Sequence, residues 1–166
     1  MDAALARLVD QVQTARAARG RLRIVGGDTK AFYGNPASGE PLDVKPLAGI
    51  SSYEPSELVV TVRGGTLLAD LEAAWRLERQ VLAFEPPRYV ARGTVGGMVA
   101  AGLAGPARAT AGGVRDYVLG ATLLNGRGEL LSFGGQVMKN VAGYDVSRAL
   151  AGSMGVLGVV CEVSLK

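Results

Sequence analysis

The chain has 166 residues, 48% of them hydrophobic but only 5% aromatic, with a net charge of +3 and no histidine. That length allows one domain, or two small subdomains sharing a core built from Leu, Val and Ala. The missing histidine excludes Ser–His and Cys–His nucleophile systems and histidine metal ligands, and the single cysteine excludes an internal disulfide and a cysteine metal cluster. The arginines are scattered and rarely sit beside aromatics, which disfavours nucleic acid as a partner. Mild basicity suits an anionic cofactor or substrate, or an acidic partner. No apolar run reaches the roughly 18 residues needed to cross a bilayer, and the first residues lack a signal-peptide layout, so a cytoplasmic protein is expected.

In chain order, apolar Leu5, Leu8, Val9 and Val12 predict a helix over Asp2–Arg19, with Asp2 as N-cap and Gly20 as the C′ stop. A strand over Arg21–Val25 runs into Gly26-Gly27-Asp28-Thr29, with a helical turn at Lys30–Tyr33. Pro36–Pro41 reads as loop, Leu42–Val44 as a strand and Pro46–Gly49 as a turn. Ser51–Tyr53 and Leu58–Val62 read as strands around a Pro55 turn. Thr66 is expected to cap a helix carrying Leu67, Leu68, Leu71, Ala74 and Trp75, with Trp75 in the core. Val81–Phe84 reads as extended, Val95–Ala101 as a short helix, and Tyr117–Leu124 with Glu129–Phe133 as a hairpin about Asn125-Gly126-Arg127-Gly128. A short helix over Asp145–Ala151 and a strand over Gly155–Leu165, holding a buried Cys161, close the chain. The fold expected is α+β: a small βα unit over about 1–52, then a mixed, largely antiparallel sheet with flanking helices over about 53–166.

Chemistry concentrates in three small-residue segments. Ala91–Gly113 is more than half glycine and alanine and has no acidic residue; Arg23–Lys30 and Ala151–Val160 have a similar texture. Such segments let main chain approach a large ligand and leave N–H groups free to face an anion. Three of them, far apart in sequence, suit one extended ligand such as a dinucleotide. Neither G-x-G-x-x-G after the first strand nor G-x-x-x-x-G-K-[ST] occurs, which argues against a Rossmann domain and a P-loop. Thr94-Val95-Gly96-Gly97 is read as a capped helix start whose open N–H groups face the ligand.

The order strand–GGDT, TVGGMVAAGLAGP, GGVRDYVLGATLLNG and VMKNVAGYDVSRALAGSMGVLGVV resembles the FAD-binding domain of the vanillyl-alcohol oxidase/p-cresol methylhydroxylase superfamily. Within it, Thr94–Pro106, Val114–Gly120 and Val137–Gly158 are most similar to the FAD-binding (E) subunits of glycolate oxidases. The resemblance implies a non-Rossmann α+β fold with FAD lying between two subdomains, and because the chain has no histidine to attach a flavin the FAD is expected to be held non-covalently. It places Val25, Gly26, Gly27, Asp28 and Thr29 at the diphosphate. Thr94, Val95, Gly96 and Gly97 would lie near flavin and diphosphate, with Ala100, Gly105 and Gly113 close by, and Val160 would line the adenosine end. It further implies flavin-mediated oxidation of glycolate to glyoxylate in a complex with a second flavin subunit and an iron–sulfur subunit, partners through which the chain would reach the inner face of a membrane.

Relatives continue into a C-terminal cap domain that this chain is expected to lack, so catalytic and substrate-binding residues are not assigned and the chain alone is not expected to turn over. Asp28 interrupts a loop that in the superfamily is often all glycine. A carboxylate about 4 Å from a phosphate charge is repelled by about 4 kcal/mol at an effective dielectric near 20. Asp28 is therefore expected to turn away and cap the Thr29–Tyr33 turn, with Lys30 offsetting its charge. An alternative is a non-catalytic structural subunit with an empty flavin site. The polar set Lys139, Asn140, Tyr144, Asp145 and Arg148 reads either as a docking surface or as a capped helix start.

Overall fold

A computed structural model describes residues 2–135 and 143–166. Helix α1 (Ala3–Ala17) starts where Asp2 Oδ1 accepts the Leu5 amide at 2.9 Å, and it buries Leu8 and Val12. Its end differs from expectation. The left-handed residue is Arg19, at φ 51°, and Gly20 lies one position beyond, its amide closing on Ala15 O at 2.8 Å. Strands β1 (Leu22–Val25) and β2 (Glu40–Asp43) pair in parallel.

The main sheet has the order β3-β4-β7-β5-β6, with every pairing antiparallel. Its strands are β3 (Ile50–Glu54), β4 (Val59–Arg63), β5 (Val118–Leu124), β6 (Leu130–Gly134) and β7 (Val159–Leu165). The sheet is flanked by α2 (Leu68–Leu77), α3 (Val95–Ala101), α4 (Arg108–Ala111), α5 (Val114–Tyr117) and α6 (Val146–Ala149). The α+β fold expected from the sequence is the one observed.

The central strand β7 is buried on both faces, and a bulge lets it serve two cores. On β5, Thr122 pairs with Glu162 and Leu123 with Val160, so Cys161 is the extra residue. The insertion reverses which side chains face which way. Val163 and Leu165 join Val160 in a core with Val62, Leu71, Trp75, Phe84, Val95 and Val99. Val159 and Cys161 instead join Leu8, Val12, Leu42, Val44 and Leu47 on the α1 side. Trp75 is a core residue, as its spacing implied.

Four local expectations are corrected. Thr66 does not cap α2: the N-cap is Leu67, and Thr66 Oγ1 accepts the Gly49 amide at 2.9 Å. Val81–Phe84, read as extended, gives way to a turn at Ala83–Phe84. Tyr117 ends α5 instead of opening β5. Strand β7 begins at Val159, because Met154, Gly155 and Gly158 hold φ values of 53°, 79° and 139°, outside extended geometry. Among the described residues no helix is long and apolar enough to cross a membrane.

Candidate functional site

The parallel β1–β2 ladder ends where the Val44 amide donates to Val25 O at 2.9 Å. The chain then turns through Gly26-Gly27-Asp28-Thr29, with Asp28 left-handed at φ 53°. Asp tolerates that conformation better than most residues. The amides of Gly26, Gly27, Asp28 and Thr29 have no acceptor among the described residues. Consecutive main-chain donors without partners make an anion-holding concavity.

This loop lies directly against the Arg92–Thr94 segment. A Cβ on Gly26 would stand 2.5 Å from Thr94 Oγ1, and one on Gly27 would overlap Arg92 O. Only glycine permits this approach. The two small-residue segments therefore converge on one place, as an extended ligand requires. Gly93 completes the contact, since a Cβ there would lie 3.9 Å from Thr29 Oγ1.

The start of α3 departs from expectation. Thr94 is its N-cap, with Oγ1 accepting the Gly97 amide at 3.3 Å. The next two amides are not open. Val95 donates to Thr66 O at 2.9 Å and Gly96 to Gly64 O at 2.8 Å. The glycine at 96 serves backbone packing, because a Cβ there would meet Gly64 O at 2.9 Å and Gly64 Cα at 3.1 Å. Thr94 is only 2% exposed and Val95 and Gly96 are buried, whereas Gly97 is exposed.

Gly64 and Gly65 escaped sequence reasoning. Gly64 presses onto Val160 O, and Gly65 onto the Val44 and Leu47 carbonyls. The Gly65 amide donates to Leu47 O at 2.8 Å and the Gly64 amide to Cys161 O at 2.8 Å. This pair is where the first βα unit seats on the sheet. The available signal was an RGGT run after an alternating strand, close in texture to VGGDT after β1.

The third segment packs on both walls. Gly152 and Met154 donate to Val99 O and Ala100 O at 3.0 and 2.9 Å, and a Cβ on Gly155 would lie 3.1 Å from Ile24 Cδ1. Val160 is buried beneath Gly64. The amides of Gly105 and Gly113 are spent on Phe84 O at 2.9 Å and Asp116 Oδ2 at 2.7 Å. Of the residues singled out in the sequence, Gly26–Thr29 keep open donors, and Thr94–Gly97 form the wall beside them.

A cavity of about 360 Å³ opens next to the loop, lined by Thr29, Lys30, Leu68, Tyr89, Ala91 and Gly93 among others. That volume is within the range of small-molecule sites. Phe32 and Tyr89 meet edge to face, with centroids 5.0 Å apart, and so tie the turn after the loop to the cavity wall. The charges beside the loop are arranged differently from expectation. Asp28 pairs with Arg23 at 3.5 Å, and Lys30 has no carboxylate partner among the described residues. Partial burial lowers the Lys30 pKa from its usual range. Arg88, also on the cavity wall, is paired with Glu72.

Elsewhere the chemistry is inert. Cys161 is 2% exposed, and burial pushes its thiol up to about 11. Asp145 caps α6 by accepting the Arg148 amide at 3.1 Å and the Ser147 hydroxyl at 2.8 Å. That matches the capped-helix reading of the polar set; Lys139 and Asn140 lie outside the described residues. Among the described residues no group of three or more His, Cys, Asp or Glu side chains is placed to hold a metal.

The FAD binding domain family model matches residues 4–134. The chain is 52% identical to glycolate oxidase subunit GlcE of Escherichia coli K12 over 159 residues, covering 96% of this chain and 45% of that protein. It is 32% identical to a D-lactate dehydrogenase of Anaerostipes hadrus, covering 88% of this chain and 29% of that protein. It is also 32% identical to glycolate oxidase subunit GlcD of Bacillus subtilis, covering 74% of this chain and 26% of that protein. The chain thus spans less than half the length of these relatives. Among solved structures, alkyldihydroxyacetonephosphate synthase superposes with a TM-score of 0.74 at 18% identity, over 97% of this chain and 32% of that one. This chain belongs to the FAD binding domain family, an α+β fold whose cofactor is FAD.

Proposed function

We propose that the chain is the FAD-holding part of a multi-subunit glycolate oxidase that converts glycolate to glyoxylate. The observation that carries this reading is the run of open amides at Gly26–Thr29, pressed against Thr94 and opening onto a cavity. An anionic diphosphate is what such donors recognise, so the residues present fit the cofactor of the family. The 52% identity to GlcE supports the choice of substrate, and the likeness to GlcD and to a D-lactate dehydrogenase supports 2-hydroxy-acid chemistry in general.

In this reading Gly26–Thr29 hold the diphosphate, while Thr94 and Gly97 form the adjoining wall. Ala100, Gly105, Gly113 and Val160 act indirectly, by packing the segments that shape the cleft. The separate β1–β2 ladder and five-stranded sheet support two halves close to the expected 1–52 and 53–166, with the boundary moved ahead of β3 (Ile50–Glu54) because that strand pairs with β4, and with the halves joined through Gly64-Gly65. When bound, FAD supplies the two-electron redox chemistry. This chain's residues bind and orient it and keep water from the buried wall at Val95 and Leu68. With no histidine here, the group that takes the substrate's hydroxyl proton is assigned to a partner subunit or to a region of the kind the longer relatives carry beyond the part matched by this chain. A second flavin subunit and an iron–sulfur subunit complete the proposed assembly, which could carry this chain to the inner face of a membrane.

The test is flavin content. The purified chain should show flavin absorbance near one FAD per chain, released intact on denaturation, with glycolate turnover only once partner subunits are added. A colourless chain that takes up no added FAD would favour the structural-subunit reading. The spent amides of Val95 and Gly96 are the observation that gives that second reading weight.

A further inference from the structure

We propose that Lys30 is a further cofactor-binding residue, whose ammonium group supplies the counter-charge to the FAD diphosphate. The proposal rests on the FAD-holding role of this site and adds a residue to it. Three observations converge. Lys30 directly follows the run of open amides and lines the same cavity as Thr29 and Gly93. Asp28 is matched with Arg23 at 3.5 Å and Arg88 with Glu72, whereas Lys30 meets no carboxylate among the described residues; Arg92 also meets none there, but it is exposed and does not line the cavity. The ammonium is also partly desolvated, which lowers its pKa and is costly unless an anion compensates.

The arrangement has an electrostatic logic. Asp28 puts a negative charge into a loop that must receive two more. Its pairing with Arg23 neutralises that charge on the side of β1. Lys30 then remains as a positive charge not consumed by the fold. Amide donors fix the geometry of an oxyanion, and a flexible ammonium on a four-carbon stem adds a point charge that tolerates small displacements.

The experiment measures FAD affinity by flavin fluorescence for the wild-type chain, Lys30→Ala and Lys30→Arg, at 50 and 500 mM salt, with thermal melting of each apoprotein as a check on folding. Lys30→Ala should weaken FAD binding by about tenfold or more at low salt, with the gap narrowing at high salt because ions screen a charge–charge contact. Lys30→Arg, which keeps the charge, should stay within about threefold of wild type. A Lys30→Ala chain that binds FAD within twofold of wild type at low salt overturns the proposal. So does an equal loss at both salt concentrations, which would mark a packing role. A wild-type chain that binds no FAD overturns the reading of the site itself, which separates the two failures.

Discussion

Two glycine-rich regions meet at the centre of this molecule, and they spend their backbone differently. At Gly26–Thr29 the amides are open and the glycines allow the loop to touch Thr94 and Arg92. At Gly64-Gly65 and Val95-Gly96 every amide is bonded, to Cys161, Leu47, Thr66 and Gly64 carbonyls respectively. The first region is available to a ligand. The second is a seam, where main chain replaces side chains so that β4, β7 and α3 can close on one another. Small-residue composition marks both and distinguishes neither. What separates them is where the donors go, a question with a complete answer only in three dimensions.

The seam should break hardest. Gly64→Ala would force a Cβ into Val160 O, and backbone cannot yield as a side-chain tip does. We expect a loss of about 3 kcal/mol or more in chemical denaturation, with or without FAD. The same reasoning covers Gly96→Asp. Its added atoms meet the Gly64 backbone, so loss of flavin in that variant would report unfolding rather than a damaged binding loop. A Gly64→Ala chain of unchanged stability would refute the seam.

Cys161 reports on the seam from within, since its carbonyl accepts the Gly64 amide. Burial raises its thiol pKa from 9.0 to about 11. The folded state therefore keeps the proton while the unfolded chain releases it. The contribution is intact below pH 9 and is lost as pH rises through about 11, approaching about 3 kcal/mol. Urea midpoints followed from pH 8 to 11 should fall more steeply for wild type than for Cys161→Ala. Parallel curves would show that the bulge leaves the thiol open to solvent.

Much of this was legible in the sequence, and the gaps have a common cause. Local patterns gave the Asp2 cap and the Leu8/Val12 face of α1, the hairpin at Asn125–Gly128, and the burial of Trp75 and Cys161. Each depends on residues a few positions apart. Thr66 misled because a threonine before an apolar run satisfies the cap pattern, yet its hydroxyl is claimed by Gly49. Gly20 misled because Arg19 takes the left-handed position that glycine usually fills. The bulge at Cys161, the seam at Gly64-Gly65 and the Asp28–Arg23 pair depend on which strands lie side by side, and no local signal encodes that. The convergence of Gly26 with Thr94 was inferred from composition and resemblance, and the geometry supports it.

The contact between the two regions can be measured separately from either. Gly26→Ala places a methyl 2.5 Å from Thr94 Oγ1, a side-chain atom that can be removed. Gly26→Ala alone should cost about 1–2 kcal/mol, and Thr94→Ala about 1 kcal/mol through the lost N-cap. The double variant should cost less than the sum, because the second change relieves the clash made by the first. Strict additivity in denaturation would mean that the loop and the cap do not touch.

The smallest effect addresses the loop's charge. Asn tolerates the left-handed conformation that Asp28 adopts, so Asp28→Asn removes charge with little change of shape. The Asp28–Arg23 pair is partly exposed at 3.5 Å, so its loss should change folding stability by less than about 1 kcal/mol. Removing a negative charge beside open amides, and releasing Arg23 from it, should tighten FAD binding by a factor of a few at low salt, read by fluorescence titration. Weaker binding in this variant would reverse the argument. It would mean that the carboxylate orders the loop through Arg23, and that the open region, like the seam, depends on backbone positions fixed from outside it.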